Sequence, residues 1–176
     1  MIRGRREFLM VGGGVIATLG FPRAVSAGRV EIIEMKGTAR GEHVWFAPIG
    51  LAVEPGTALR FINRDPGNSH TATAYHPDIF SRHRRIPAKA APWDSDFLLP
   101  DGSFEVTLTV PGVYDYYCVP HEMAGMVGRI VVGQPGTRGW EGPAGDSGDL
   151  EPEALAGFPS VEDILAQGRI AQEEHE

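Results

Sequence analysis

Two Pro-Gly pairs, at 55–56 and 111–112, each stand between runs of apolar and β-branched residues. Proline presets the first turn position and has no N–H for a sheet ladder, while glycine takes conformations that a tight reversal needs. A chain punctuated this way is committed to short strands. Between Arg29 and Val132 the runs "RVEIIEM", "HVWFAPIGLAV", "ALRFIN", "HTATAY", "FEVTLTV", "VYDYYC" and "VGRIVVG" are separated by "EPGT", "RDPGN", "LPDGS" and "PG". Alternation in "HTATAY" predicts His70, Ala72 and Ala74 on one face. No long helical period is present, and both Pro-Gly turns are expected to join antiparallel strands. The expected fold is all-β, a Greek-key β-sandwich of seven or eight strands over residues 28–133.

Residues 1–27 stand apart from that domain. A basic start (Arg3, Arg5, Arg6), an apolar stretch from Phe8 to Phe21 and the small-residue site Val25-Ser26-Ala27 predict a cleaved signal peptide. Arg5-Arg6-Glu7-Phe8-Leu9 resembles a twin-arginine signal. The apolar stretch is short and glycine-rich against the roughly 20 apolar residues of a membrane span. The expectation is a soluble monomer, periplasmic or otherwise extracytoplasmic, beginning near Gly28 and without a stable membrane anchor. Loss of this segment removes four arginines and Glu7 and moves the formal charge from −7 to −10, which argues against nucleic acid as a partner.

The acidity is concentrated at one end. Residues 133–176 carry ten acidic residues against Arg138 and Arg169, whereas 28–132 have ten basic and twelve acidic. Residues 134–176 read as a Gly/Pro/acid-rich, mostly irregular tail with one short helix opening at Ser160, where Asp163 follows three residues on and Val161, Ile164 and Leu165 form an apolar stripe. Its expected contribution is to partner contact or solubility and not to metal binding. The long stretch 76–96, basic through Arg82, Arg84, Arg85 and Lys89, is either a solvated excursion held by Ile79, Phe80 and Trp93 or a partner-docking loop.

The single cysteine of the chain, Cys118, has no intramolecular disulfide partner. It is therefore a buried inert thiol, half of an intermolecular disulfide, or a metal ligand. Its neighbours favour the last. In "YDYYCVPHEMAGMVG" a thiol, His121 and Met126 stand at the spacing Cys-x-x-His-x-x-x-x-Met, in a turn between two strands that can fold their side chains to one point. His70, just after the turn "DPGNS", is the candidate for a second imidazole. Two His and one Cys with a weak Met bond suit type 1 copper, whereas structural zinc takes more thiolates and no thioether. Met123 competes with Met126 but is spaced as a turn residue; His43, His76, His83 and His175 have no matching position.

"PGVYDYYCVPHEMAGMVGRIVV" resembles the copper loop of the plastocyanin/pseudoazurin/halocyanin group of cupredoxins, in its Pro-Gly-x-Tyr lead-in, its ligand spacing and its Gly125-Met126-x-Gly128 close. The resemblance implies one copper ion with His70, Cys118 and His121 as equatorial ligands and Met126 as the axial one. It also implies a non-catalytic carrier of single electrons between a donor and an acceptor redox protein. Two positions depart from the group: Thr71 stands where Asn commonly follows the first His, and Val119 where Thr or Ser often follows the Cys. A single-domain relative of copper oxidases or nitrite reductases, and a copper storage or delivery protein, are the alternatives. The former need further His-rich copper sites, and the latter would favour exposed Met/His clusters.

Overall fold

The computed structural model describes residues 30–172 except Ala39 and Glu42. The expected signal segment and His175 lie outside the described residues. Among the described residues nine strands form two sheets. β1 (Val30–Gly37), β2 (Val44–Ala47), β4 (Thr57–Asn63) and β6 (Ser103–Leu108) make one, in the order β2-β1-β4-β6. β3 (Gly50–Val53), β5 (Thr73–Ala74), β7 (Gly112–Tyr117), β8 (Val127–Val132) and β9 (Arg169–Ile170) make the other, in the order β5-β7-β8-β3-β9. Two parallel pairs, β1 with β4 and β3 with β8, sit among antiparallel ones. The expected all-β sandwich is present.

The Pro-Gly turns behave differently from the expected hairpins. Pro55-Gly56 joins β3 to β4, and Pro111-Gly112 joins β6 to β7; each pair of strands lies in different sheets. Both turns cross the sandwich at one end, where Pro55 and Pro111 come together beside Gly133. A turn residue specifies a reversal of direction but not whether the next strand pairs with the last one or faces it across the core. Gly112 is required for a second reason: a Cβ there would meet Pro87 at 2.7 Å and the Glu141 carbonyl at 2.8 Å, and its φ of 141° excludes most side chains.

The core fills the space between the sheets. Phe46, Phe61 and Tyr116 pack edge to face at its centre, with centroids 4.7 to 6.4 Å apart. Ile33, Met35, Leu59, Ile130 and Val132 surround them, all fully buried. The tail 134–172 is ordered against the sandwich. It carries the expected helix, α2 (Val161–Gln167), whose Ser160 accepts the Asp163 N–H, preceded by a further short helix, α1 (Pro152–Gly157). It ends in β9 on the edge of β3. Ile164 of α2 packs on Val113 and Val131, and Ala154 of α1 with Leu150 packs on Tyr75, Tyr117 and Val127. His70 to Tyr75 are all buried, so both faces of "HTATAY" are covered, Tyr75 by the tail.

Candidate metal centre

Cys118 follows the last residue of β7, at the opposite end of that strand from the Pro111-Gly112 turn. The chain then makes a 3-10 turn, Val119–Ala124, that Gly125 ends in the left-handed conformation, φ 77°. Gly125 is used there because its amide can bond the Glu122 carbonyl at 2.8 Å only in a geometry that a Cβ resists. Cys118 N–H donates to the Met126 carbonyl (3.0 Å) and Met126 N–H to the His121 carbonyl (3.1 Å). The spacing legible in the sequence is thus a closed loop with Cys118, His121 and Met126 cross-linked through their backbones.

His70 comes from the other side. Its backbone pairs both ways with Leu98, and its Nδ1 reaches 3.6 Å from Cys118 Sγ, while His121 Nδ1 reaches 3.4 Å. The three donor atoms lie within 4.8 Å of one another, and Met126 is fully buried beside Cys118 in the same apolar cluster. Met123 is 73% exposed and points away from such a role. The His76 ring pairs with Asp78 instead.

The electrostatics fit a soft cation. Burial pushes the Cys118 thiol up to about 11, against N–H bonds that lower it, so without a bound cation it is protonated near neutral pH. A metal ion reverses that preference, since it binds the thiolate. Burial and the neighbouring His70 hold the His121 imidazole below its ordinary value, which keeps it neutral and able to donate a lone pair. Two imidazole nitrogens, one thiol and a buried thioether are the soft and borderline set that copper prefers.

Residues around these donors fix their aim. Thr71, the departure noted in the sequence, ties the two halves together: its N–H donates to Cys118 Sγ (3.3 Å) and its Oγ1 accepts the Val119 N–H (2.9 Å). The hydroxyl is in turn linked through Thr73 Oγ1 to Asp94. Two groups were not legible in the sequence. Asp65, which reads there only as a turn former, sits 3.0 Å from His70 Nε2 and is 1% exposed. Glu122 takes two bonds from Arg82 (2.7 and 2.6 Å) and one from the Tyr75 hydroxyl (2.8 Å), partners some forty residues distant that no spacing rule connects.

Sequence comparisons with known proteins agree with this geometry. The family model described as copper binding proteins, plastocyanin/azurin family, matches residues 33–133. The chain is 33% identical to the plastocyanin minor isoform of Arabidopsis thaliana over 121 residues, covering 68% of each chain. It is 31% identical to a plastocyanin of Oryza sativa subsp. indica over 127 residues, covering 72% of this chain and 80% of that one. A solved structure of native pseudoazurin from Hyphomicrobium denitrificans is similar at 26% identity with a TM-score of 0.47, covering 60% and 77% of the two chains. With a Cys-His-His donor set at the end of a β-sandwich and a family match over most of that sandwich, the chain belongs to the plastocyanin/azurin family of copper binding proteins.

Proposed function

We propose that the protein carries one electron at a time between redox proteins, on a single type 1 copper held by His70, Cys118 and His121 with Met126 as the weak axial donor. The observation that carries this reading is the convergence of His70 Nδ1, Cys118 Sγ and His121 Nδ1 within 4.8 Å, with His70 and Cys118 buried and His121 partly so. Copper held there would change between Cu(I) and Cu(II) with little movement of its ligands and so would supply outer-sphere electron transfer. The chain's own part is to hold the donors in place, exclude water and leave no position for a substrate. Plastocyanins, to which the chain is similar, are small copper electron-transfer proteins, which favours a carrier over an oxidase or a storage protein.

Several features support contact with a partner at the donor end of the sandwich. Met123, two residues beyond His121, is 73% exposed, and Phe97 and Leu99, which flank the Leu98 paired with His70, are 60% and 69% exposed. An apolar surface of this kind suits a small, fast-releasing interface of under about 1,200 Å². The basic-apolar segment 1–27 supports export by a twin-arginine signal to an extracytoplasmic compartment. Among the described residues no helix is long and apolar enough to cross a membrane.

The test is a Cu(II) titration of the purified protein followed by visible spectroscopy and by voltammetry. An intense thiolate-to-copper band, abolished in Cys118→Ser, together with a reversible one-electron wave is the expected result. A colourless copper complex, or a band that survives Cys118→Ser, would sink the assignment.

A further inference from the structure

Asp65 is a buried carboxylate that no Lys or Arg among the described residues pairs with. Its Oδ1 accepts the Gly67 N–H (2.8 Å), and its Oδ2 accepts from the Asn68 side-chain amide (2.8 Å) and faces His70 Nε2 (3.0 Å). Two of these three partners are neutral amides and the third is an imidazole. Both of its oxygens are thus already placed as acceptors of N–H bonds, from Gly67 and Asn68, and a carboxylate set among donors in this way accepts from its third partner too. His70 Nε2 must carry the proton, which leaves the Nδ1 lone pair facing Cys118 Sγ.

The surroundings are built to keep it there. The Asn63 side chain accepts the Asp65 N–H (2.9 Å) and donates to the carbonyls of Asn68 and Leu98 (both 2.8 Å), locking the turn to the segment that pairs with His70. The last residue of β1 is Gly37, and a Cβ on it would overlap the Asp65 carboxylate. The carboxylate occupies the space that any other residue at 37 would fill.

We infer that Asp65 is a positioning residue of the metal centre: its carboxylate fixes His70 as the Nε2–H tautomer and sets a buried negative charge behind that ring, which lowers the reduction potential. The second half rests on the electron-carrier reading; the first half does not. A carboxylate hydrogen-bonded to a ligand imidazole makes the ring a stronger donor, and a nearby negative charge favours the more positive oxidation state of the ion. Both effects have the same sign.

Two measurements test this. In the copper-free protein, long-range 1H–15N correlation at His70 is expected to show Nε2 protonated and Nδ1 bare as a single tautomer; an Nδ1–H tautomer in the wild type overturns the positioning role. Asp65→Asn removes the charge and offers the ring a mixed donor and acceptor, so both tautomers should then be populated. In the copper-loaded protein, Asp65→Asn is expected to shift the potential upward. Gly37→Ala keeps the charge but displaces it from His70, and should shift the potential the same way by less. An unchanged or lowered potential in both variants overturns the tuning role. If Asp65→Asn does not fold, the wild-type tautomer and Gly37→Ala still decide. A wild type with the Nε2–H tautomer but no blue band would defeat the carrier reading and leave the positioning role standing.

Discussion

The two sheets of the sandwich use their outer faces in opposite ways. β4 alternates down its length, with Leu59 and Phe61 in the core and Arg60 in solvent, and its partner β6 does much the same. β7 and β8 do not alternate: every residue from Gly112 to Tyr117 and from Val127 to Val132 is buried. Their inner residues, Tyr114, Tyr116, Ile130 and Val132, meet the first sheet, and their outer residues, Val113, Asp115, Tyr117, Arg129 and Val131, meet the loop 76–93 and the tail. The covered sheet is the one that carries Cys118. Extra chain has been laid over the strands that lead to the metal centre and not over those that only complete the core.

Polar groups on the covered face are paired accordingly. Asp115, fully buried, takes Arg129 at 2.7 and 3.1 Å and Arg85 at 3.0 Å, and the surplus positive charge is met by tail carbonyls at Ala144, Gly145 and Pro159. The Phe158 ring lies between the two guanidinium groups, about 5 Å from each. On the open face the corresponding pair, Arg60 with Glu105, is half exposed.

The sharpest break of this contrast is Asp115→Asn. It leaves two buried guanidinium groups without a carboxylate and is expected to destabilise the fold by about 3–5 kcal/mol, read as a lowered denaturation midpoint. A loss under about 1 kcal/mol would mean that the tail carbonyls alone suffice. Next in size is Ile164→Ala, which empties a fully buried position between α2 and the covered face. Its expected loss is about 2–4 kcal/mol with the Cu(II) spectrum retained.

Acid gives a smaller and reversible test. The Asp149 carboxylate accepts the His83 N–H (3.1 Å) and lies 3.5 Å from Arg82; burial opposes its ionisation, but Ser147, His83 and Arg82 hold it below its ordinary 3.8. Its contribution to tail docking is therefore present above the unfolded value and is lost as pH falls below about 3.8 through the lower folded value. Amide exchange at Leu150 and Ala154 should accelerate there before exchange in β1 and β4 does. Simultaneous acceleration would mean that the tail has no opening of its own. The smallest effect belongs to the open face: Arg60→Ala should change stability by no more than about 0.5 kcal/mol. A larger loss would erase the distinction between the faces.

This contrast also explains what could be read from the sequence. Alternation in "ALRFIN" and the apolar run "VGRIVVG" were sufficient for β4 and β8, because half-buried and fully buried strands each leave a local pattern. The donor loop was legible for the same reason: Cys118, His121 and Met126 are all supplied within nine residues. Crossing from sheet to sheet at the two Pro-Gly turns left no such trace. Neither did the docking of the tail, which depends on backbone carbonyls and on isolated side chains, Leu150, Ala154, Phe158 and Ile164, spaced among glycines, prolines and acids. Asp65 looked like an ordinary turn residue because its partner His70 is identified only once the ring's orientation is known.

The bracket around the donor loop has a thermodynamic consequence. Tyr117, just before Cys118, stacks on Tyr75 at 4.2 Å and lies under Arg82; Glu122, just after His121, is bonded by the same Tyr75 and the same Arg82. The four residues between are thus gripped at both ends by one pair of side chains, and Arg82 is itself held by the tail carbonyl of Asp149 (3.1 Å). The conformational entropy of this segment is surrendered when the chain folds, before any ion arrives. Ion capture then draws little on ordering the loop, so affinity reflects donor chemistry almost undiluted, and the ordering is charged to the folding equilibrium of the whole sandwich.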